Sequence, residues 1–409
     1  MRILILHQYF LGRGEGGGSR FNQFAKYWSK MGHDVTVVAG TVHYATGHKD
    51  ARYRGKWLVR EEDESGARVL RSYVSSGYNK GFRGRLWGYV SFALSATWAG
   101  LFAARKPTVI LATSPPLTIA VPAYIISRVR RIPLVFEVRD LWPDFAVETG
   151  AMRNRHLIRF SYWLERFIYR KATLINVLTP GFELELRTEG VPPEKIVVVP
   201  NGADLDLFSP GERNNQVRTD YGWGDRFVIL YTGAHGRAND LGQILEAAQQ
   251  MLDRPEVLFI LMGDGMEKGA LQERARKLGL SNLQFIGTQP KQSVVDFVNA
   301  ADVCIATLAD LPGFRKVYPN KLFDYMACAR PIIVGIDGVA RELVADAEAG
   351  IFVEPNCPER IVAAVLTLLD DNDARLRYGE RGYAFVQREF SRRNLAEKYA
   401  GILDGVSKE

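Results

Sequence analysis

Residues 225–265 read DRFVILYTG (225–233), AHGRAN (234–239), DLGQILEAAQQML (240–252), DRP (253–255) and EVLFILMGDG (256–265). The two continuous apolar runs, each ending on glycine, have the pattern of strands covered on both faces, as in a parallel sheet. The segment between them reads as a helix, so the stretch predicts a βαβ unit. The alternation continues with helical GALQERARKLG (269–279), strand NLQFIGT (282–288), helical SVVDFVNAA (293–301) and strand DVCIATL (302–308). Helical KLFDYMACA (321–329) and the strands PIIVGI (331–336) and GIFVE (350–354) complete it.

The same alternation runs through the first half. MRILILHQ (1–8) is followed by the glycine-rich GRGEGGGSR (12–20) and by FNQFAKYWSKMG (21–32), where Phe21, Phe24, Ala25 and Trp28 repeat at helical spacing. HDVTVVAG (33–40), PTVILATS (107–114), RIPLVFEVRD (131–140) and ATLINVLTP (172–180) read as further strands. The fold class expected is α/β, with two doubly wound parallel-sheet, Rossmann-like domains joined near VVVPNGADLDLFSP (197–210) and facing across a cleft. The boundaries expected are 1–200, 201–385 and a terminal helix in 386–409. Open α/β sheets bind ligands beyond the carboxyl ends of their strands, so the strand-to-helix loops are where a site belongs.

The composition agrees with that class. Of 409 residues 47% are apolar and 24% charged, which excludes disorder, collagen and a repetitive fibre. Three cysteines lie far apart without CxxC spacing, so neither a disulfide framework nor a zinc site follows. The apolar start MRILIL is too short for a signal segment, and a cytoplasmic location is expected. Charge is uneven. Residues 1–200 hold 29 Lys and Arg against 16 Asp and Glu, a net +13; residues 201–409 hold 24 against 30, a net −6. A field of this shape points the first half toward something anionic, whether nucleic acid, an acidic membrane or a phosphorylated ligand. The acidic second half and the lack of a recognition motif speak against nucleic acid.

LWGYVSFALSATWAGLFAA (86–104) carries no charge and is flanked by Arg83, Arg85, Arg105 and Lys106. Its length admits a membrane span. Its serines, threonine and glycines, and the strand directly after it, favour a core or interfacial helix instead.

Three stretches carry chemistry. GRGEGGGSR lies between strand and helix, where backbone amides and the helix dipole favour anions, and Gly17 and Gly18 allow close backbone approach. Arg20 adds a cation there. EVRDLWPD (137–144) ends a strand with Glu137, Arg139, Asp140 and Asp144. FRKVYPNKLFDYMACARPIIVG (314–335) opens a helix at Pro319, Asn320 and Lys321, with Asp324 one turn in. The amides of such a helix start can hold a diphosphate, and a carboxylate one turn later can accept ribose hydroxyls.

VVVPNGADLDLF, LMGDG, QFIGT and PNKLFDYMACARPIIV, in that order, resemble the C-terminal domain of the retaining GT-B glycosyltransferases of family 4. The glycine-rich loop, GHDVTVV, SPPLTIAVPAY and VFEVRDLWPD resemble the subgroup typified by N-acetyl-L-fucosamine transferases of bacterial O-antigen synthesis, and the resemblance runs to REFSRRNLAEKYAGIL, where the family's last helix crosses back to the first domain.

The resemblance implies a nucleotide-sugar donor, UDP-linked, in the second domain. It implies an undecaprenyl-diphosphate-linked acceptor in the first, with the basic half, Trp87 and Trp98 against the inner face of the cytoplasmic membrane. Donor contacts then fall on Gly17, Gly18, Arg20, Gly233, Arg237, Gly263, Asp264, Pro319, Asn320, Lys321, Leu322 and Asp324. The second of the family's two glutamates falls on Asp324 and the first on Lys316, which reverses its charge. The family's diphosphate-gripping Arg and Lys are Ala234 and Asn239 here, leaving Arg237 and Lys321 as replacements; His235 is a further candidate for the leaving phosphate. The family's His-Asp pair becomes Arg139-Asp140, which takes the catalytic positions, Asp140 orienting the acceptor hydroxyl or assisting its deprotonation. DLD (204–206) belongs to the hinge-side segment and not to a metal, so no metal and no cofactor are expected. Two other readings remain: a non-catalytic or partner-dependent GT-B subunit, and a UDP-sugar 2-epimerase.

Overall fold

The computed structural model describes residues 1–12, 20–43, 47, 49–63, 66–77, 81–150 and 152–408. The chain divides into two compact units, one of residues 1–200 with 393–409, the other of residues 201–392.

Among the described residues the first unit is built on eight strands: β1 (Arg2–Leu6), β2 (Asp34–Gly40), β3 (Leu58–Glu62), β4 (Arg68–Ser72), β5 (Val109–Ser114), β6 (Leu134–Val138), β7 (Leu174–Val177) and β8 (Ile196–Val198). Their order is β3-β4-β2-β1-β5-β6-β7-β8, and every pair is parallel except β3–β4. Strand order reverses between β1 and β5, where Ile3 pairs with Val109, and that switch point is where such a sheet opens to a ligand. Phe21, Phe24 and Trp28 of the helix Arg20–Lys30 pack on one face with Tyr399 and Leu403 of the last helix, Arg392–Lys408. The Trp28 indole N–H donates to the Ala396 carbonyl at 2.8 Å, so a buried polar atom also holds the chain's end to its beginning.

The uncharged stretch at 86–104 forms the helix Gly81–Trp98, continued by a π-turn at Ala99–Ala103. Phe92, Ala96 and Ala99 are buried, and a side chain at Gly100 would meet Ile126 Cδ1 at 2.3 Å, so the helix lies against its neighbour on one side. Ser95 Oγ donates to the Tyr73 carbonyl at 2.7 Å. Its opposite side, with Trp87, Leu94, Trp98 and Phe102, is exposed. It is long and apolar enough to cross a membrane by composition, yet it is folded as one layer of an α/β unit.

The second unit has six parallel strands, β9 (Phe227–Thr232), β10 (Val257–Met262), β11 (Leu283–Ile286), β12 (Val303–Thr307), β13 (Ile332–Gly335) and β14 (Gly350–Phe352). Their order β11-β10-β9-β12-β13-β14 is the doubly wound one, with its switch point between β9 and β12. Side chains alternate across the sheet. Val228 and Leu230 enter one core cluster, whereas Phe227, Ile229 and Tyr231 enter the other. Both faces are apolar, which is why these strands read as unbroken hydrophobic runs.

Candidate functional site

At the switch point of the second unit two glycine turns cross. Gly233 follows β9 and Gly263 follows β10. The Gly233 amide donates to the Met262 carbonyl (2.9 Å), and the Gly263 amide to the Ile286 carbonyl (3.0 Å). A Cβ on Gly263 would lie 1.8 Å from the Gly233 carbonyl oxygen, and its φ of +146° disfavours any side chain. The backbone is therefore bare where the strand ends meet.

Into this crossing projects Lys321, from the helix Asn320–Ala327, whose start at Pro319 has no side-chain cap. Its Nζ lies 3.1 Å from the position a Gly233 Cβ would take, and 3.8 Å from the centre of the Tyr231 ring. The Nζ atom is sealed from solvent and has no hydrogen-bond partner among the described residues. Burial pushes its pKa down to about 7. The Tyr231 hydroxyl donates to the Ala234 carbonyl (2.9 Å), and the Tyr325 hydroxyl accepts from the Thr232 amide (2.9 Å), which fixes both elements around the cation.

Asp324 sits one turn further, among charges from three other segments. Burial raises its pKa; Lys291 and Arg392 oppose that and Asp204 reinforces it. Arg392 is itself anchored, donating to the Gly202 carbonyl from its side chain and to the Ala203 carbonyl from its amide. Leu322 is fully buried beneath this turn, and Asn320 is exposed at its tip. Gly233, Gly263, Lys321 and Asp324 are thus gathered at one end of the sheet. Asp264 is exposed beside them; its carboxylate accepts from the Gly265 amide (2.7 Å) and its carbonyl from the His235 amide (2.8 Å). Arg237 stands differently. It is 85% exposed and paired with Glu267 at 3.2 Å, a surface contact of small worth. Arg315 is likewise held on the surface, by Asp310 at 2.8 Å.

His235 is fully buried, and neither ring nitrogen has a hydrogen-bond partner among the described residues. Burial, followed by the charge of Lys268, brings its pKa down to about 4, so the imidazole is neutral.

In the first unit Arg20 does not stand open to a ligand, contrary to the sequence expectation. It donates to both oxygens of Glu137 (3.2 and 3.1 Å), to the Val199 carbonyl (2.8 Å) and to the Pro200 carbonyl (2.5 Å). Glu137 is fully buried on β6 and also accepts from Asn176 (2.9 Å) and Thr113 (3.4 Å). A buried carboxylate needs such partners, and that need claims the arginine. Gly17 and Gly18 lie outside the described residues.

Arg139 and Asp140 directly follow β6, where the Arg139 amide donates to the carbonyl of Ser114, the last residue of β5 (3.1 Å). The Arg139 guanidinium donates to the Ser114 (3.4 Å) and Pro115 (3.5 Å) carbonyls. Burial raises the Asp140 pKa and Arg139 opposes the rise. His7, directly after β1, is buried with both ring nitrogens unpartnered among the described residues, and burial, Arg139 and Arg71 hold its pKa well below the usual value. Sequence reading passed over His7, although a histidine closing the first apolar strand was the available signal.

A model described as "Glycosyl transferase 4-like domain" matches residues 15–202, and one described as "Glycosyl transferases group 1" matches residues 214–385. The chain is 23% identical over 399 residues to the putative colanic acid biosynthesis glycosyl transferase WcaI of Escherichia coli K12, covering 93% of this chain and 96% of that protein. Among solved structures it is similar to HepE of Anabaena in complex with UDP (TM-score 0.74, 18% identity, 99% and 100% of the two chains). It is also similar to WaaG, a glycosyltransferase involved in lipopolysaccharide biosynthesis (TM-score 0.70, 16% identity, 98% and 100%). With two doubly wound units and these two matches in succession, the chain is a glycosyltransferase of GT-B fold, a glycosyl transferase 4-like domain followed by one of glycosyl transferases group 1.

Proposed function

We propose that this chain is a retaining, metal-independent transferase that moves a sugar from a UDP-linked donor to a lipid-diphosphate-linked saccharide, as in the N-acetyl-L-fucosamine transferase subgroup. The observation that carries the donor half is Lys321: a sealed cation without a hydrogen-bond partner among the described residues, beside bare glycine backbone and an uncapped helix start. These are the features that accept a diphosphate. Gly233, Gly263, Pro319, Asn320 and Leu322 shape that cradle, Asp324 receives the ribose hydroxyls, and Asp264 borders the sugar. Arg237 joins the phosphates by leaving Glu267. Charge stabilisation by these groups takes the place of a metal. In the first unit Asp140 orients the acceptor hydroxyl, with Arg139 beside it.

Docking on the inner membrane face is supported by the surface of the first unit. Three helices packed side by side, Gly81–Trp98, Ala120–Arg130 and Arg155–Lys171, expose Trp87, Leu94, Val129, Phe160 and Trp163; Phe102, in the π-turn, is 71% exposed. Arg83, Arg85, Arg128, Arg130, Arg131 and Arg159 lie on or beside the same helices. Basic residues near an anionic lipid surface contribute roughly 1 kcal/mol each.

The test is a thermal-shift panel with UDP, GDP, dTDP and ADP, each in EDTA and in Mg²⁺, against that buffer's own baseline. The reading expects UDP to raise the midpoint equally in both. Asp324→Ala should abolish the rise, while Asp140→Asn keeps it but slows transfer about a hundredfold or more. No shift with any nucleotide would move the chain to a non-catalytic partner subunit.

A further inference from the structure

His235 and Lys321 reach the same glycine crossing from different elements. His235 follows β9 by three residues, and its Nε2 lies 3.4 Å from the position a Gly263 Cβ would take. Lys321 Nζ lies 3.1 Å from the corresponding position at Gly233. The backbone of the histidine is fully engaged: its amide donates to the Asp264 carbonyl (2.8 Å), and its carbonyl accepts from the Glu267 amide (2.9 Å). Its ring is not. Tyr231 and Phe285 pack around it with ring centres 6.2 and 6.1 Å away, yet phenylalanine offers no hydrogen-bonding atom and the Tyr231 hydroxyl gives its proton to the Ala234 carbonyl. The Lys268 ammonium donates to the Gly263 carbonyl instead (2.8 Å). Both ring nitrogens are therefore sealed and without a partner among the described residues.

A buried polar group left without a hydrogen bond destabilises the fold, so it calls for a reason. Here the sealed imidazole and the sealed ammonium stand at one bare backbone crossing, and what both lack is an acceptor. We infer that His235 is a second diphosphate-binding residue of this site, donating a ring N–H to a phosphate oxygen from the Gly263 side while Lys321 holds the diphosphate from the Gly233 side. The inference rests on the donor reading above and adds to it a donor that carries no charge. Burial, then Lys268, bring the histidine's pKa down to about 4, so near pH 7 it supplies a hydrogen bond without setting a second unpaired cation beside Lys321. The proton stays on the ring throughout.

The experiment compares the unaltered full chain with His235→Phe, by urea unfolding without nucleotide and by calorimetric titration with UDP and with uridine. Phenylalanine keeps the shape of the ring and removes both orphaned nitrogens. The urea midpoint of the empty chain should therefore hold or rise, while UDP affinity falls about tenfold, the loss of one hydrogen bond, and whatever affinity uridine has is unchanged. A histidine that only fills the core would not separate stability from UDP binding in this way. Should His235→Phe not fold, His235→Met takes its place with the same two readouts. Undiminished UDP affinity in the folded variant overturns this inference alone, since Lys321→Ala still tests the donor reading. An equal loss of uridine affinity, a loss of stability along with UDP affinity, or failure of both variants to fold overturns it too. Failure of UDP to bind the unaltered chain removes the donor reading and this inference with it.

Discussion

The ammonium of Lys321 stands 3.8 Å from the centre of the Tyr231 ring and has no hydrogen-bond partner among the described residues. A cation–π contact contributes about 0.5–2 kcal/mol, whereas removing an ammonium from water costs several kcal/mol. The ring cannot offset the burial, and the pKa falls to about 7 for that reason. A diphosphate would supply the missing charge.

That imbalance gives a pH signature. Between about 7 and the usual lysine value of 10.5, the native chain holds fewer protons at Lys321 than the unfolded chain does. Its contribution to stability therefore rises with pH across that window and is lost as pH falls through 7. Urea midpoints of the unaltered chain and of Lys321→Met should diverge between pH 7 and pH 9.5, the unaltered chain gaining relative to the variant. Saturating UDP should shrink the divergence, because the bound phosphates raise the lysine's pKa.

Gly263→Ala should destabilise the chain by about 1–3 kcal/mol, since the new Cβ would fall 1.8 Å from the Gly233 carbonyl oxygen at a φ that side chains avoid. Displacing Gly233 also disturbs Lys321, so UDP binding should weaken with stability. Urea unfolding and a UDP titration on the same variant check both.

Arg20→Met or Glu137→Gln alone should cost about 3–5 kcal/mol, because each leaves a buried partner uncompensated. The double variant should cost less than the sum. The UDP-induced thermal shift should persist in whichever variants remain folded, since this pair belongs to the first unit. Equilibrium unfolding measures the coupling.

How much of this was legible in the sequence depended on the length and purity of each run. FVILYT and VLFILM are unbroken, and both became strands with apolar faces on either side. The β3–β4 hairpin was missed, because LVREE and RVLRS mix charge into every few residues. Its reason for pairing is partly an ion pair, Arg71 Nε to Glu61 at 3.1 Å, which no hydrophobic period records. PNKLFD was legible as a helix start because its residues are close in sequence and become one helix turn. The partner of Arg20 was not, since Glu137 lies 117 residues away. That the His7 and His235 rings find no hydrogen-bond partner among the described residues is likewise a property of their surroundings, and spacing carries no trace of it.

Replacing Leu94, Phe102 and Trp163 by Glu should abolish co-sedimentation with vesicles of phosphatidylglycerol and phosphatidylcholine while leaving the UDP shift intact. Binding of the unaltered chain should weaken from low to physiological salt, as the Debye length shortens to about 8 Å. Binding that is equally strong in the triple variant would detach this face from the membrane.

The most direct measurement of the central claim is a calorimetric titration of the unaltered chain and Lys321→Ala with UDP and with uridine. The account predicts that the variant loses UDP affinity by about a hundredfold, while whatever affinity uridine has is unchanged. UDP binding equally well to both would contradict it, because the diphosphate would then be held somewhere other than at the Gly233–Gly263 crossing.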